Sequence, residues 1–233
     1  MNNKSLFILI NKLLLFGIKL LGFFTVFICV LAFSSMPYRE FRRLSVVEPR
    51  SSFVPQWIIC LSGNEYPSPD ALGLFFELGA CIKKYPHAQS IYSFPCNSNC
   101  DSKKAALIEE LKLRTDSLTH FSIFTEGYNS YSQLYKIAEQ LNFKTDAIML
   151  IAPAPHTFRS IAVLKKMGFT NVCGYSSLSI PFSNEELSQI SKMPYGRQVP
   201  MDLRYNFWNY LKYEIEIGRE WIALLYYKIN GWI

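Results

Sequence analysis

A run of 21 residues carrying a single charge constrains this chain more than any other feature. Leu13 to Phe33 reads LLLFGIKLLGFFTVFICVLAF, and Lys19 is its only charged residue. A helix of that length crosses the roughly 30 Å apolar core of a bilayer. Phe23, Phe24, Phe27, Leu31 and Phe33 leave no polar face, which argues against a core helix of a soluble domain. Lys19 lies in the first third of the run, where its stem can snorkel to the interface. Two fates fit. In the first the run is a signal anchor, the expected transmembrane segment within residues 1–36. In the second, Lys4, Lys12 and Lys19 form the basic region of a cleaved signal peptide, with Ala32-Phe33-Ser34 as the cleavage site. The length of the run and the imperfect site favour the anchor. Residues 37–55, with Ser, Pro and Arg and no clear period, read as a linker. Residues 56–233 read as the folded domain.

Charge sorts the possible partners. Residues 1–50 hold seven Lys/Arg against two Asp/Glu, and the rest of the chain holds 17 against 16. The net charge of +6 therefore sits around the apolar run. It is not a nucleic-acid footprint, and the expected partner is a membrane, held through the N-terminal helix. A strict positive-inside count, with Arg39, Arg42, Arg43 and Arg50 after the run, keeps the domain in the cytoplasm. Counting Lys19 with the preceding lysines nearly balances the two sides.

The folded part alternates short apolar runs with helical patterns. Strands are expected at Trp57–Leu61, Gln89–Phe94, Phe121–Phe124, Ala147–Ala152 and from Asn171. Helices are expected at Ala71–Tyr85, Lys103–Leu113, Ser130–Leu141, Thr157–Met167 and from Asp202 onward. In the first of these Leu72, Phe75, Phe76, Leu78 and Ile82 form the apolar stripe. In the second Ala106, Leu107, Ile108 and Leu111 face inward. Such alternation predicts an α/β fold, a mainly parallel sheet with helices on both faces. In these folds ligands bind beyond the carboxyl ends of the strands. The candidates are therefore Gly63, Asn64 and Glu65 after the first strand, and Cys96, Asn97 and Asn99 after the second. Glu126, Asn129 and Ser130 follow the third, and His156 and Arg159 the fourth.

His156 and Arg159 share a helical face near a helix start, which suits an anion. The structural alternative makes His156 a helix cap and Arg159 a solvated residue. Ser130 and Gln133 fit an S-x-x-Q capping box. Glu126 could act as a general base or be an exposed loop acid. His87 and His120 precede strands and belong on the opposite edge. No clustered His/Cys/Asp set points to a metal. No G-x-S-x-G, P-loop or G-x-G-x-x-G motif is present, so no cofactor is assigned. Cys60, Cys81 and Cys173 read as small core residues. Cys96 and Cys100 form a disulfide in an oxidising compartment or stay free thiols otherwise. Tyr205, Phe207, Trp208, Tyr210, Trp221, Tyr226, Tyr227 and Trp232 mark the C-terminal tail as aromatic. The tail reads as a core helix in which Ile222, Leu224 and Leu225 pack on the sheet, against an interfacial membrane face as the alternative.

Three segments resemble the YdcF-like family of bacterial α/β proteins, which includes envelope proteins of the SanA/ElyC type. They are EGYNSYSQ (126–133), IMLIAPAPHTFRSIAVLKKMGF (148–169) and REWIALLYYKINGWI (219–233). His156 and Arg159 match the family's H-x-x-R, and Glu220 matches an acid in its closing aromatic helix. The chain also departs from the family. LSGNEYPSPDALG (61–73) lacks the Gly-rich turn and Arg, and FPCNSNCDSKKAAL (94–107) lacks the Gly residues and Glu. Ser130, Ser132 and Gln133 stand where the family has Thr, Glu and Asn.

The resemblance implies a divergent member with a Rossmann-like, doubly wound fold, a single-pass tether to the bacterial cytoplasmic membrane and a domain outside the cytoplasm. It also implies a link to the cell envelope. The expected ligand is a small anion, such as a sugar phosphate or a lipid-linked sugar intermediate. As a hydrolase or transferase, the domain would use His156 as acid or base with Glu126 or Glu65 as its partner. Arg159 would hold the anion beside Asn129, Ser130, Gln133, Gly63, Asn64 and Glu65. The alternative is a non-catalytic ligand-binding or scaffold protein. Nothing in the sequence names a protein partner.

Overall fold

The computed structural model describes residues 3–34, 36–47, 53–115, 120–141, 144–176 and 199–233. The chain divides into two units, Met1–Glu40 with Phe182–Glu216, and Phe41–Pro181 with Ile217–Ile233.

The first unit contains α1 (Asn3–Leu31). Among the described residues α1 is the one helix long and apolar enough to cross a membrane, and its 21-residue apolar window has no buried share. Just beyond it the Phe33 and Phe207 rings lie 4.9 Å apart, and Tyr38 lies 6.1 Å from Tyr213.

The stretch read as a linker contains α2 (Met36–Ser45) instead. Pro37 is tolerated in a first helical turn, and Arg42 and Arg43 suit the negative end of the helix dipole. Tyr38, Phe41 and Leu44 recur every three residues and are all buried. That spacing hides inside a Pro- and Arg-rich sequence, so the helix is easily missed. After it, Val47 makes a two-way antiparallel bridge with Gly174. The α/β unit thus begins at Phe41, well before the first strand.

The second unit is built on β1 (Trp57–Leu61), β2 (Gln89–Ser93), β3 (Phe121–Phe124), β4 (Ile148–Ala152) and β5 (Val172–Ser176). All neighbours are parallel, in the order β3-β2-β1-β4-β5. The helices are α3 (Pro69–Lys84), α4 (Cys100–Lys112), α5 (Ser130–Ala138), α6 (His156–Lys166) and the last part of α7 (Val199–Ile229).

Side chains alternate across each strand, so the sheet builds two cores. Ile58 and Cys60 face α3 and α4, where Leu74, Phe75, Leu78, Leu107 and Leu111 are buried. Ile59 and Leu61 face α5 and α6, where Leu134, Ile137, Ile161 and Leu164 are buried. The strands are apolar on both faces because both faces are covered. Gly174 lets α6 lie close on β5, since a Cβ there would stand 2.6 Å from Ile161 Cδ1.

Three inward stripes differ from expectation. On α3, Leu72 and Phe76 are exposed while Ala71 and Leu74 are buried. On α4, Leu107 and Leu111 are buried but Ala106 is exposed. On α7, Ile222 and Leu225 are exposed, and among the described side chains Glu220 and Tyr227 are the buried ones. The side chain of Tyr205 lies outside the described ones.

The chain leaves β1 for β2 and β3, then crosses back to place β4 on the other side of β1. The loops after β1 and β4 therefore diverge, and a crevice opens between them at the carboxyl ends of the strands.

Candidate functional site

The crevice is built from four chain segments. After β1, Ser62 closes a tight turn by donating its Oγ proton to the Asn64 carbonyl at 2.8 Å. Gly63 then passes the loop after β4, and a Cβ at Gly63 would stand 3.9 Å from Cε1 and Nδ1 of His156. That loop is Pro153-Ala154-Pro155, and Pro155 occupies the N-cap of α6 with no side-chain cap bond. His156 is therefore not a cap. It is the first helical residue, and its ring turns into the crevice.

Arg159 follows one turn later and is 8% exposed. Such a burial needs a counter-charge, because an unpaired buried guanidinium is strongly destabilising. Glu220 of α7, 1% exposed, supplies it. Arg159 Nε lies 3.3 Å from Glu220 Oε1, and the guanidinium packs over the Tyr227 ring at 4.8 Å. The pair is close but not aligned as a hydrogen bond, so Arg159 Nε and Glu220 Oε1 keep bonding capacity. Glu220 Oε2 also lies 3.8 Å from His156 Nε2.

Arg219, next along α7, places Nη2 3.0 Å from His156 Nε2. A guanidinium only donates, so Nε2 accepts and the ring proton belongs on Nδ1. Burial, reinforced by Arg159 and Arg219, pushes the His156 pKa down to about 4. The imidazole is neutral at pH 7. Burial raises the Glu220 pKa, and the two arginines oppose that rise. Two guanidiniums against one buried carboxylate leave the site net positive.

The third wall is the start of α5. Its capping box is one residue earlier than expected. Asn129 is the N-cap, accepting from Ser132 N at 2.8 Å, while Ser132 Oγ accepts from Asn129 N at 3.2 Å. Asn caps as well as Ser does, and the glycine two residues before it settles the frame. Gly127 has φ of +98°, and a Cβ there would meet Gln133 N at 2.6 Å. Ser130 and Gln133 are thereby released from capping. Gln133 is buried and directs Nε2 to the Ser62 carbonyl at 3.4 Å, tying α5 to the β1 turn.

The fourth wall is the C-terminus. Together these segments enclose a cavity of about 300 Å³. Ser62, Gly63, Asn129, Ser130, Gln133, His156 and Arg159 line it, with Pro95, Tyr128, Tyr226, Tyr227 and Trp232. The other expected site residues are elsewhere. Asn64 is not among the lining residues, and Glu126 is exposed on its loop outside the cavity. Glu65 accepts from Asn97 N at 3.1 Å and pairs with Lys103, whose hydrogen bond holds its carboxyl below the usual range. Cys96 and Cys100 form a disulfide in the same loop. Among the described residues no group of three or more His, Cys, Asp or Glu side chains could hold a metal ion.

Spacing alone did not lead to Arg219, Tyr226, Tyr227 or Trp232. Glu220 carried one signal, its match to the acid in the closing helix of the resembled family. No family model matches the chain, and no curated protein or solved structure matches it either.

Proposed function

We propose that the crevice binds a small phosphate-bearing anion. The observation that carries this reading is the meeting of His156, Arg159 and Arg219 around one buried carboxylate at an uncapped helix start. Arg159 is placed by Glu220 and Tyr227 and so loses little freedom when a ligand binds. His156 offers Nδ1–H as a neutral donor.

The wider reading is a divergent YdcF-like protein with a Rossmann-like, doubly wound domain, tethered by α1 to the bacterial cytoplasmic membrane and serving envelope biogenesis. The strand order reversing at β1 and the His156–Arg159 spacing support the family. The Cys96–Cys100 disulfide supports a domain outside the cytoplasm, where disulfides persist.

Binding without turnover suits the geometry best, because the Arg219 contact occupies the lone pair of His156 Nε2. A second reading, hydrolysis or group transfer, has one observation in its favour. Arg219 is exposed, so an incoming anion can draw it away and free Nε2 as a base 3.8 Å from Glu220. Calorimetry on the full chain in nanodiscs, with inorganic phosphate and simple phosphate monoesters, tests the main reading. Arg159→Ala should weaken binding by more than about tenfold. Absence of any phosphate binding by the unaltered chain would sink it. Release of phosphate by the unaltered chain but not by His156→Gln would favour the second reading.

A further inference from the structure

The last part of α7 turns an apolar face away from the α/β unit. We propose that this face lies on an anionic lipid surface, as a membrane contact in addition to α1. Within Ile217–Ile233, the part of α7 and its tail that belongs to this unit, Trp221, Ile222, Leu225, Tyr226 and Ile229 are all exposed. Ile222 is 72% exposed and Ile229 is 76% exposed. At 3.6 residues per turn the five side chains fall on one arc of about 140°. Glu220 and Tyr227, which are buried, lie on the opposite side of the helix. A surface helix of a globular domain ordinarily buries its apolar stripe and shows water its polar face. Here the inner face carries Glu220, which answers Arg159, and the apolar side chains are left outside. A contiguous exposed face of this kind marks an interaction surface.

Three features select lipid as the occupant. First, Arg219 and Lys228 lie about 20° beyond the two edges of the arc, and both are exposed. Glu220 is the only acid in this stretch and is buried, so every exposed charge on it is positive. Such a rim complements phosphate headgroups. Second, Trp221 and Tyr226 stand at the edges of the arc, with Ile222, Leu225 and Ile229 between them. Amphipathic rings settle at the headgroup level and aliphatic side chains at the acyl boundary. Third, with α1 as the anchor the tethered domain meets a bilayer at high effective concentration, so a shallow apolar face suffices. A second copy of the chain fits less well. Pairing through this face would bring Arg219 and Lys228 of two chains to one seam, with no exposed acid of this stretch to answer them.

Photo-crosslinking reads the occupant directly. The full chain, carrying p-benzoylphenylalanine in place of Ile222 or of Ile229, would be reconstituted in vesicles of phosphatidylethanolamine and phosphatidylglycerol and irradiated. The same group in place of Leu72, which is exposed on α3, gives the reference yield. All three positions face outward, so the substitutions leave the core in place. The expected result is a lipid adduct, identified by mass spectrometry, at both α7 positions and at least about tenfold above the Leu72 yield. Replacing phosphatidylglycerol with phosphatidylcholine should lower the adduct about fivefold, and Lys228→Glu should lower it by a similar factor. A crosslinked dimer in place of the lipid adduct would overturn the lipid face in favour of a second copy. Yields no higher than at Leu72 would return the face to water and overturn it outright. Equal yields in the two kinds of vesicle would overturn the preference for an anionic surface.

Discussion

Two glutamates stand on the same rim of the sheet and behave in opposite ways. Glu65 follows β1, meets water, and accepts from a lysine and a backbone N–H that hold its carboxyl below the usual range. Glu220 arrives from the C-terminal helix, is sealed from water, and has its carboxyl pushed up by burial. Glu65 clips the loop after β1 to the disulfide-bearing loop after β2. Glu220 holds Arg159 and His156 at the cavity but leaves them bonding capacity. A satisfied carboxylate organises a loop, whereas a buried and imperfectly satisfied one organises a site.

The sharpest way to break this contrast is to remove each acid. Glu220→Ala should cost about 3–5 kcal/mol, because it strands a buried guanidinium. Glu65→Ala should barely move the unfolding midpoint, since its partners return to water. Denaturant unfolding of both variants in the same detergent checks this, and equal losses would erase the distinction.

The second test uses pH. The folded-state pKa of His156 lies below its unfolded value, so only the unfolded chain takes up the proton between about 6.5 and 4. Stability should therefore fall as pH drops through that window, by at most about 3 kcal/mol from this residue. Glu220, with its raised pKa, acts in the opposite sense. The difference between the unaltered chain and His156→Gln, measured by unfolding at several pH values, isolates the histidine. A pH-independent difference would place the imidazole in water.

Smaller effects sharpen the clipped side of the rim. Breaking the disulfide by Cys96→Ser should cost about 2 kcal/mol, as expected for a very short closed loop. It should leave phosphate affinity unchanged, because neither cysteine lines the cavity. At the junction of the two sides, Gly63→Ala meets His156 only at 3.9 Å, an ordinary contact. Its stability change should stay within about 0.5 kcal/mol, with any effect appearing as weaker ligand binding in calorimetry.

What the sequence determined by itself was whatever depends on neighbours a few residues apart. The apolar run fits α1, and the alternation of short runs with helical patterns fits a parallel sheet with its crevice at His156 and Arg159. Local competition already blurred some of this. Asn129 and Ser130 are both good caps, and only the left-handed Gly127 and its tight contact with Gln133 chose between them. Periodicity also misled on α7, where Ile222 and Leu225 were expected inward and Glu220 and Tyr227 are buried instead. An apolar pattern shows which residues avoid water, not which ones a buried arginine requires. The tertiary structure alone decided that Glu220 lies 3.3 Å from Arg159 and that Trp232 closes the cavity. Those contacts join residues far apart in the chain. Their energy comes from burying charge and aromatic surface together, which no local pattern records.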